Sequence, residues 1–230
     1  DLAALSSGQV HMSDTFDATD PIHIGRFTIS DFHAKRRPLT VPEIFIYSSN
    51  IGTAKMAEAI GNEKIRNFYR VLGFMDRAQI ELPERGTPLY PSPWRDISTM
   101  TTSFGHGIAV SPLHLVRATA GLVNGGVLPT STLVLNDNPG QTLPQTRIAS
   151  EEASYQIRQL LELVVAKGTG NNAAVEGYDV GGKTGTAEKN SGGRYEKNLL
   201  LSSFLGVYPM HAPRYIVLAM LDEPKGTPET

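Results

Sequence analysis

Apolar positions recur at helical spacing through the first three quarters of the chain and turn into strand-like runs in the last quarter. Near the start, PIHIGRFTIS sets Ile22 and Ile24 against Phe27 and Ile29 around Gly25-Arg26. A Gly-first pair suits a two-residue II′ turn, so this stretch predicts a small surface hairpin. TVPEIFIYSSNIGTAKMAEAIG opens with Thr40 and Glu43 at capping-box spacing and stays apolar until Gly61, a natural helix stop. It predicts helix with a short break near Ser48 to Asn50. NEKIRNFYRVLG puts Ile65, Phe68, Tyr69 and Leu72 on one face with Gly73 behind them, a core-packed helix.

Residues 81–98 carry Pro83, Gly86, Pro88, Pro91 and Pro93, too many breakers for a regular element, and predict an extended loop. Ser111-Pro112 starts another helix that ends by Gly125-Gly126, the proline at the tolerated first position. A further helix runs from about Ser150 to Lys167 on the stripe Ile157, Leu160, Leu161, Val164, Val165. The tail then changes period. YDVGGKTGTAE, LLLSSFLGVYP and PRYIVLAMLDE are separated by KNSGGR and MHA, links short enough for antiparallel neighbours. Helices first and a strand meander last is an α+β signature.

Composition narrows the function classes. The 230 residues hold 40% hydrophobic residues, enough to bury a core, and 21 basic against 23 acidic side chains give a net charge of -2. That balance argues against a dedicated nucleic-acid surface. No cysteine means no disulfide framework, thiol nucleophile or thiolate metal site. The six histidines never fall into H-x-H or H-E-x-x-H spacing, so zinc chemistry is not expected. The longest apolar runs fall far short of the roughly 20 residues that span a bilayer, and the chain as given reads as soluble.

GYDVGGKTGTAEK, residues 177–189, admits two incompatible readings. Gly177, Gly182, Lys183 and Thr184 satisfy the phosphate-loop spelling G-x-x-x-x-G-K-[ST], while Lys183-Thr184-Gly185 spells the Lys-Thr-Gly element of penicillin-recognising serine enzymes. A phosphate loop must follow a buried strand and open into a helix, whose N-terminus holds the phosphates. Here a polar stretch precedes it, and Gly185, Gly192 and Gly193 stand where the helix should grow. Asp222 after IVLAMLD imitates a Mg²⁺-binding strand end, but no crossover helix separates the two features.

The serine-enzyme reading asks instead for a strand beside a cleft, with Gly185 letting a substrate backbone approach, and for a Ser-x-Asn element far upstream. Ser48-Ser49-Asn50 supplies one. The bland alternatives are that Ser48 and Asn50 cap a helix N-terminus and that Lys-Thr-Gly is a solvated strand with a glycine bulge.

YSSNIGTAKMA, PLYPSPWRDISTMTTSFGHGIAVSPLHLVRA and VGGKTGTAEKNSGGRYEKN occur together and in this order. With them the chain resembles the transpeptidase domain of class B penicillin-binding proteins, most closely the septal FtsI type, over nearly all its length. The resemblance implies the penicillin-binding protein and serine β-lactamase-like α+β fold. The helical part, about 40–170, would carry Ser-x-Asn, and an antiparallel meander at about 177–222 would carry Lys-Thr-Gly. It implies acyl transfer from a peptidoglycan stem pentapeptide to a serine, and cross-linking through the amine of a neighbouring stem. β-Lactams would be suicide substrates, division proteins would be partners, and no metal or organic cofactor would take part.

By the same resemblance Ser48 relays a proton and Asn50 binds the substrate amide and orients the catalytic lysine. Lys183 adds positive potential, Thr184 and Thr186 offer hydroxyls to the substrate carboxylate across Gly185, and the Thr186 N–H forms half of the oxyanion hole. His106 in Gly105-His106-Gly107 is expected to be structural.

One departure stands out: no serine here is followed three residues later by Lys, so the family's Ser-x-x-Lys nucleophile element is absent from these residues. The expectation is a fragment lacking its nucleophile, inactive and weakly stable or self-associating alone, from a parent anchored at the periplasmic face of the bacterial inner membrane by a helix outside this chain. The competing functions are a non-catalytic penicillin-fold binding module and a D,D-carboxypeptidase or serine β-lactamase.

Overall fold

A computed structural model of the chain describes residues 2–135, 143–191 and 194–225. Of the predicted link KNSGGR, Lys189, Asn190, Ser191 and Arg194 belong to strands instead, and Gly192-Gly193, like the last residues of the tail, lie outside the described residues. The chain divides into two compact units, residues 1–160 and 161–230.

The first unit is mainly helical. A short helix α1 (Leu2–Ser6) precedes β1 (Thr15–Asp17), which pairs antiparallel with β4 (Pro38–Thr40). Between them β2 (Ile22–Ile24) and β3 (Phe27–Ile29) form the expected hairpin, with Ile22 opposite Ile29. Only Gly25 of the turn pair has positive φ (57°), as a II′ turn requires. The hairpin is not merely superficial, however: Ile29 is buried against Ala54 and Met100, and Ile22 and Ile24 pack on the same cluster.

Helix α2 (Val41–Tyr47) starts on the Thr40–Glu43 capping box, and α3 (Asn50–Ile60) and α4 (Asn62–Leu72) follow, with Gly61 and Gly73 as stops. Both stops have positive φ, which glycine adopts without a Cβ penalty. Helix α5 (Asp96–Ser103) was not expected, and its first turn lies inside the stretch read as loop. Its sequence, DISTMTTS, is poor in helix formers. Burial of Ser98, Thr99, Met100 and Thr102 overrides that preference, and the hydroxyls are absorbed internally: Thr102 Oγ1 donates to the Ser98 carbonyl at 2.7 Å and Ser103 Oγ to that of Met100 at 2.6 Å.

Helix α6 (Pro112–Val123) leads to the short pair β5 (Val127–Leu128) and β6 (Thr146–Arg147). Leu128 packs with Leu72 and Ala118 in a second cluster. Helix α7 (Glu151–Lys167) closes the first unit and opens the second.

The second unit is an antiparallel sheet ordered β7 (Gly181–Ser191), β8 (Arg194–Tyr208), β9 (Tyr215–Asp222). The α+β architecture with a C-terminal meander is therefore the observed one. Val164, Val165, Val207 and Met210 are buried, whereas Tyr215, Val217 and Leu221 of β9 are each at least 60% exposed.

Candidate active site

Helix α2 ends where Ser48 takes the left-handed conformation (φ 55°, ψ 45°), which turns the chain sharply into α3. Ser48 is exposed on that turn and Ser49 is buried. The reading of Ser48 and Asn50 as caps of a helix N-terminus does not hold: Ser48 is the C-cap of α2, and Ser49 is the N-cap of α3, its Oγ accepting from the Gly52 N–H at 3.0 Å. Ser49 Oγ also donates to Asp31 Oδ2 at 2.7 Å, while Asp31 Oδ1 accepts the Ile51 N–H at 2.9 Å. Asn50, first residue of α3, gives its side-chain amide to the Ser30 carbonyl at 3.0 Å. Gly52 lets the two helices close, since a Cβ there would stand 2.5 Å from the Ile44 side chain.

Ser30 and Asp31 are hydrogen-bonding neighbours of the Ser-x-Asn turn that the sequence alone did not point to. An Asp after a strand in ISDFH carries only an ordinary turn signal, and its partners lie about twenty positions further on.

In the second unit Lys183, Thr184, Gly185 and Thr186 occupy successive positions of β7, opposite Leu205, Phe204, Ser203 and Ser202 of β8. Strand alternation places Thr184 and Thr186 on one face and Lys183 and Gly185 on the other. Lys183 is half-buried, and its Nζ donates to the Thr184 carbonyl at 3.0 Å. Burial disfavours the charged ammonium and pushes it down to about 8. The Thr184 hydroxyl shares a 2.7 Å hydrogen bond with that of Thr169, and Thr186 is exposed.

Glycines make this packing possible. A Cβ on Gly181 would lie 2.6 Å from the Met210 sulfur, one on Gly182 would lie 2.6 Å from the Leu205 carbonyl oxygen and closer still to the Phe204 ring, and one on Gly185 would lie 2.8 Å from Ser203 Oγ. Among the described residues β7 is an edge strand with β8 as its one strand neighbour, and a sheet edge is the kind of element to which an extended ligand can add.

The phosphate-loop reading fails on this geometry. Lys183 and Thr184 sit mid-strand with no helix N-terminus after them, and Asp222 pairs with Lys189 at 2.8 Å, beside Glu223 at 2.7 Å.

Elsewhere, His114 is buried and links Ser111 Oγ (2.8 Å) to the Asp76 carbonyl (3.0 Å), a structural tie. The His106 N–H donates to the Thr101 carbonyl at 2.9 Å between Gly105 and Gly107, both at positive φ. Among the described residues no group of three His, Asp or Glu side chains is placed to hold a metal ion.

Over residues 1–230 the chain matches the profile of the penicillin binding protein transpeptidase domain. The probable peptidoglycan D,D-transpeptidase FtsI of Caulobacter vibrioides is 39% identical over 231 residues, covering 96% of this chain and 39% of that protein. The transpeptidase domain of Burkholderia pseudomallei penicillin-binding protein 3, solved in its apo form, superposes with a TM-score of 0.90 at 33% identity, over 97% of this chain and 68% of that one. Penicillin-binding protein 3 of Mycobacterium tuberculosis, solved with aztreonam, gives 0.87 at 26% identity, over 97% and 54%. The chain thus spans about two fifths of the length of the Caulobacter relative.

Proposed function

Because the chain belongs to the penicillin-binding protein transpeptidase domain family, we propose that it is the substrate-orienting part of a serine-type D,D-transpeptidase that cross-links peptidoglycan during cell division. The observation that carries this reading is Lys183-Thr184-Gly185-Thr186 lying within a strand that is a sheet edge among the described residues, with a half-buried lysine on one face and two threonines on the other. The extended end of a stem pentapeptide adds along that edge by backbone hydrogen bonds, and Thr184 and Thr186 receive its carboxylate.

In the reaction a serine oxygen attacks the penultimate D-Ala carbonyl. The Thr186 N–H stabilises the oxyanion, and the peptide bond to the last D-Ala breaks. The leaving nitrogen takes a proton through Ser48, and the acyl group then passes to the amine of a second stem. Asn50 holds the substrate amide, Lys183 supplies positive potential, and Gly185 keeps the strand open to the peptide backbone. The acylated serine is proposed to lie outside residues 1–230, since no serine here has Lys three residues on.

β-Lactams such as the aztreonam held by the Mycobacterium tuberculosis neighbour would occupy the same site. The working place is the periplasmic face of the inner membrane, among division proteins. No described helix is long and apolar enough to cross a membrane, so anchoring would fall to another part of the polypeptide.

Intact mass measurement with benzylpenicillin tests this. A single stable adduct is expected on the polypeptide that includes the sequence upstream of Asp1, and none on residues 1–230 alone. An adduct on the 230 residues alone would overturn the serine assignment. A folded longer polypeptide that stays unmodified would move a non-catalytic binding module ahead.

A further inference from the structure

The hairpin before α2 reaches the Ser-x-Asn turn through three consecutive residues. Ile29 is buried against Ala54 of α3, the Ser30 carbonyl accepts from Asn50 Nδ2, and the Asp31 carboxylate takes one donor on each oxygen, Ser49 Oγ at 2.7 Å and the Ile51 N–H at 2.9 Å. The Asp31 hydrogen bonds straddle the turn. Ser49 is its middle residue, Ile51 lies just beyond it, and between them Asn50 is held to the neighbouring carbonyl.

We propose that Asp31 is the positioning residue of the Ser-x-Asn element, fixing where Ser48 and Asn50 stand relative to one another. Three physical points support it, and the proposal rests on the reading of the site given above. First, α3 does not need Asp31 as its cap, because Ser49 Oγ already accepts from Gly52. A second acceptor brought in from about twenty residues away adds restraint beyond ordinary capping.

Second, Ser48 is a non-glycine residue in the left-handed region, a conformation that persists only where its surroundings over-determine it. The fixed neighbour at Ser49 supplies that determination. Third, both donors require an acceptor, and only a carboxylate offers one on each side; an amide would turn a donor toward one of them. Asp31 touches no substrate in this scheme and acts only through the turn.

The test uses the full polypeptide that carries this domain, with benzylpenicillin as probe, at a temperature where every variant is folded by circular dichroism. In D31N the first-order acylation constant at saturating benzylpenicillin is expected to fall roughly tenfold to a hundredfold, the range for reacting groups displaced by a fraction of an ångström to an ångström. The half-saturating concentration should stay unchanged, a split that mere loss of stability does not produce. S49A should fall in the same direction, and D31N/S49A by clearly less than the product of the two single losses, because both changes remove the Asp31–Ser49 hydrogen bond while each also removes one of its own, to the Ile51 N–H or from the Gly52 N–H.

Parental acylation in both D31N and S49A would overturn the assignment, as would full additivity in the double variant. If the unsubstituted polypeptide takes no adduct, the proposed function fails on its own. The clamp is then read by amide exchange in the same full polypeptide. Exchange at Ile51 and Gly52 should quicken in D31N while Ile65 in α4 is unaffected, and unchanged exchange at Ile51 would overturn the inference.

Discussion

The Ser48-Ser49-Asn50 turn and the Lys183-Thr186 strand are held by opposite means. The turn is fixed by what its side chains reach: Asp31, the Ser30 carbonyl and the Gly52 N–H each take a directional hydrogen bond from it or give one to it. The strand is fixed by what its residues lack, since Gly181, Gly182 and Gly185 let Met210, Phe204, Leu205 and Ser203 come closer than any side chain allows. A polar clamp fails when an acceptor is removed, and a close-packed strand fails when an atom is added.

The sharpest way to break the strand is therefore Gly182→Ala. The new methyl would overlap the Phe204 ring and stand 2.6 Å from the Leu205 carbonyl oxygen, a backbone atom that cannot swing away. A loss of about 3 kcal/mol is expected, at the upper end for overpacking, measured by chemical denaturation. Gly185→Ala is the control within the same strand. Its methyl would meet only Ser203 Oγ at 2.8 Å, the end of a rotatable side chain, so its loss should be clearly smaller. Equal losses would mean that ladder geometry, not these contacts, sets the demand for glycine.

The two regions also differed in how far the sequence disclosed them. The Thr40–Glu43 box, the Gly25 hairpin, the Gly61 and Gly73 stops and the three final strands were legible because each depends on chemistry within a few residues. The break at Ser48 to Asn50 was legible for the same reason, but its cause was not. Asp31 acts across about twenty residues, and nothing local marks it. Helix α5 was hidden because burial, invisible in DISTMTTS, outweighs the poor helix preference of serine and threonine. The hairpin read as superficial carries Ile29 into the core for a related reason: alternation tells which residues share a face, not whether that face is covered.

The helix that leads into the turn gives a second, intermediate effect. Glu43 accepts from Arg37 Nη2 at 2.7 Å and from the Thr40 N–H at 3.0 Å, and the Arg37 hydrogen bonds foremost pull its carboxyl from the ordinary 4.5 down to about 2. A depressed carboxylate stabilises the fold above its unfolded value and loses that contribution as pH falls through the folded one. Between about pH 4.5 and pH 2 the parent should thus lose melting temperature more steeply than Glu43→Gln. At pH 7 the substitution should cost about 1 kcal/mol, typical of a cap with a partly exposed ion pair. Parallel melting curves for the two proteins from pH 5 to pH 3 would remove Glu43 from the account of how the turn is approached.

The smallest effect has the opposite sign and separates stability from function at Lys183. Burial lowers its ammonium from 10.5 to about 8, so the folded protein holds the Lys183 proton less well than the unfolded chain does. Below pH 8 both states are protonated and the folded state bears the full desolvation penalty; from pH 8 to 10.5 the folded state releases its proton first and the penalty fades. Lys183→Met keeps the bulk of the stem and removes the charge. It should therefore match or slightly exceed the parent in stability at pH 7, lose that advantage by about pH 10, and abolish acylation in the full polypeptide. A clear loss of stability at pH 7 would mean that the hydrogen bonds of the ammonium outweigh its burial, and the strand would then be held by a polar clamp like that of the turn.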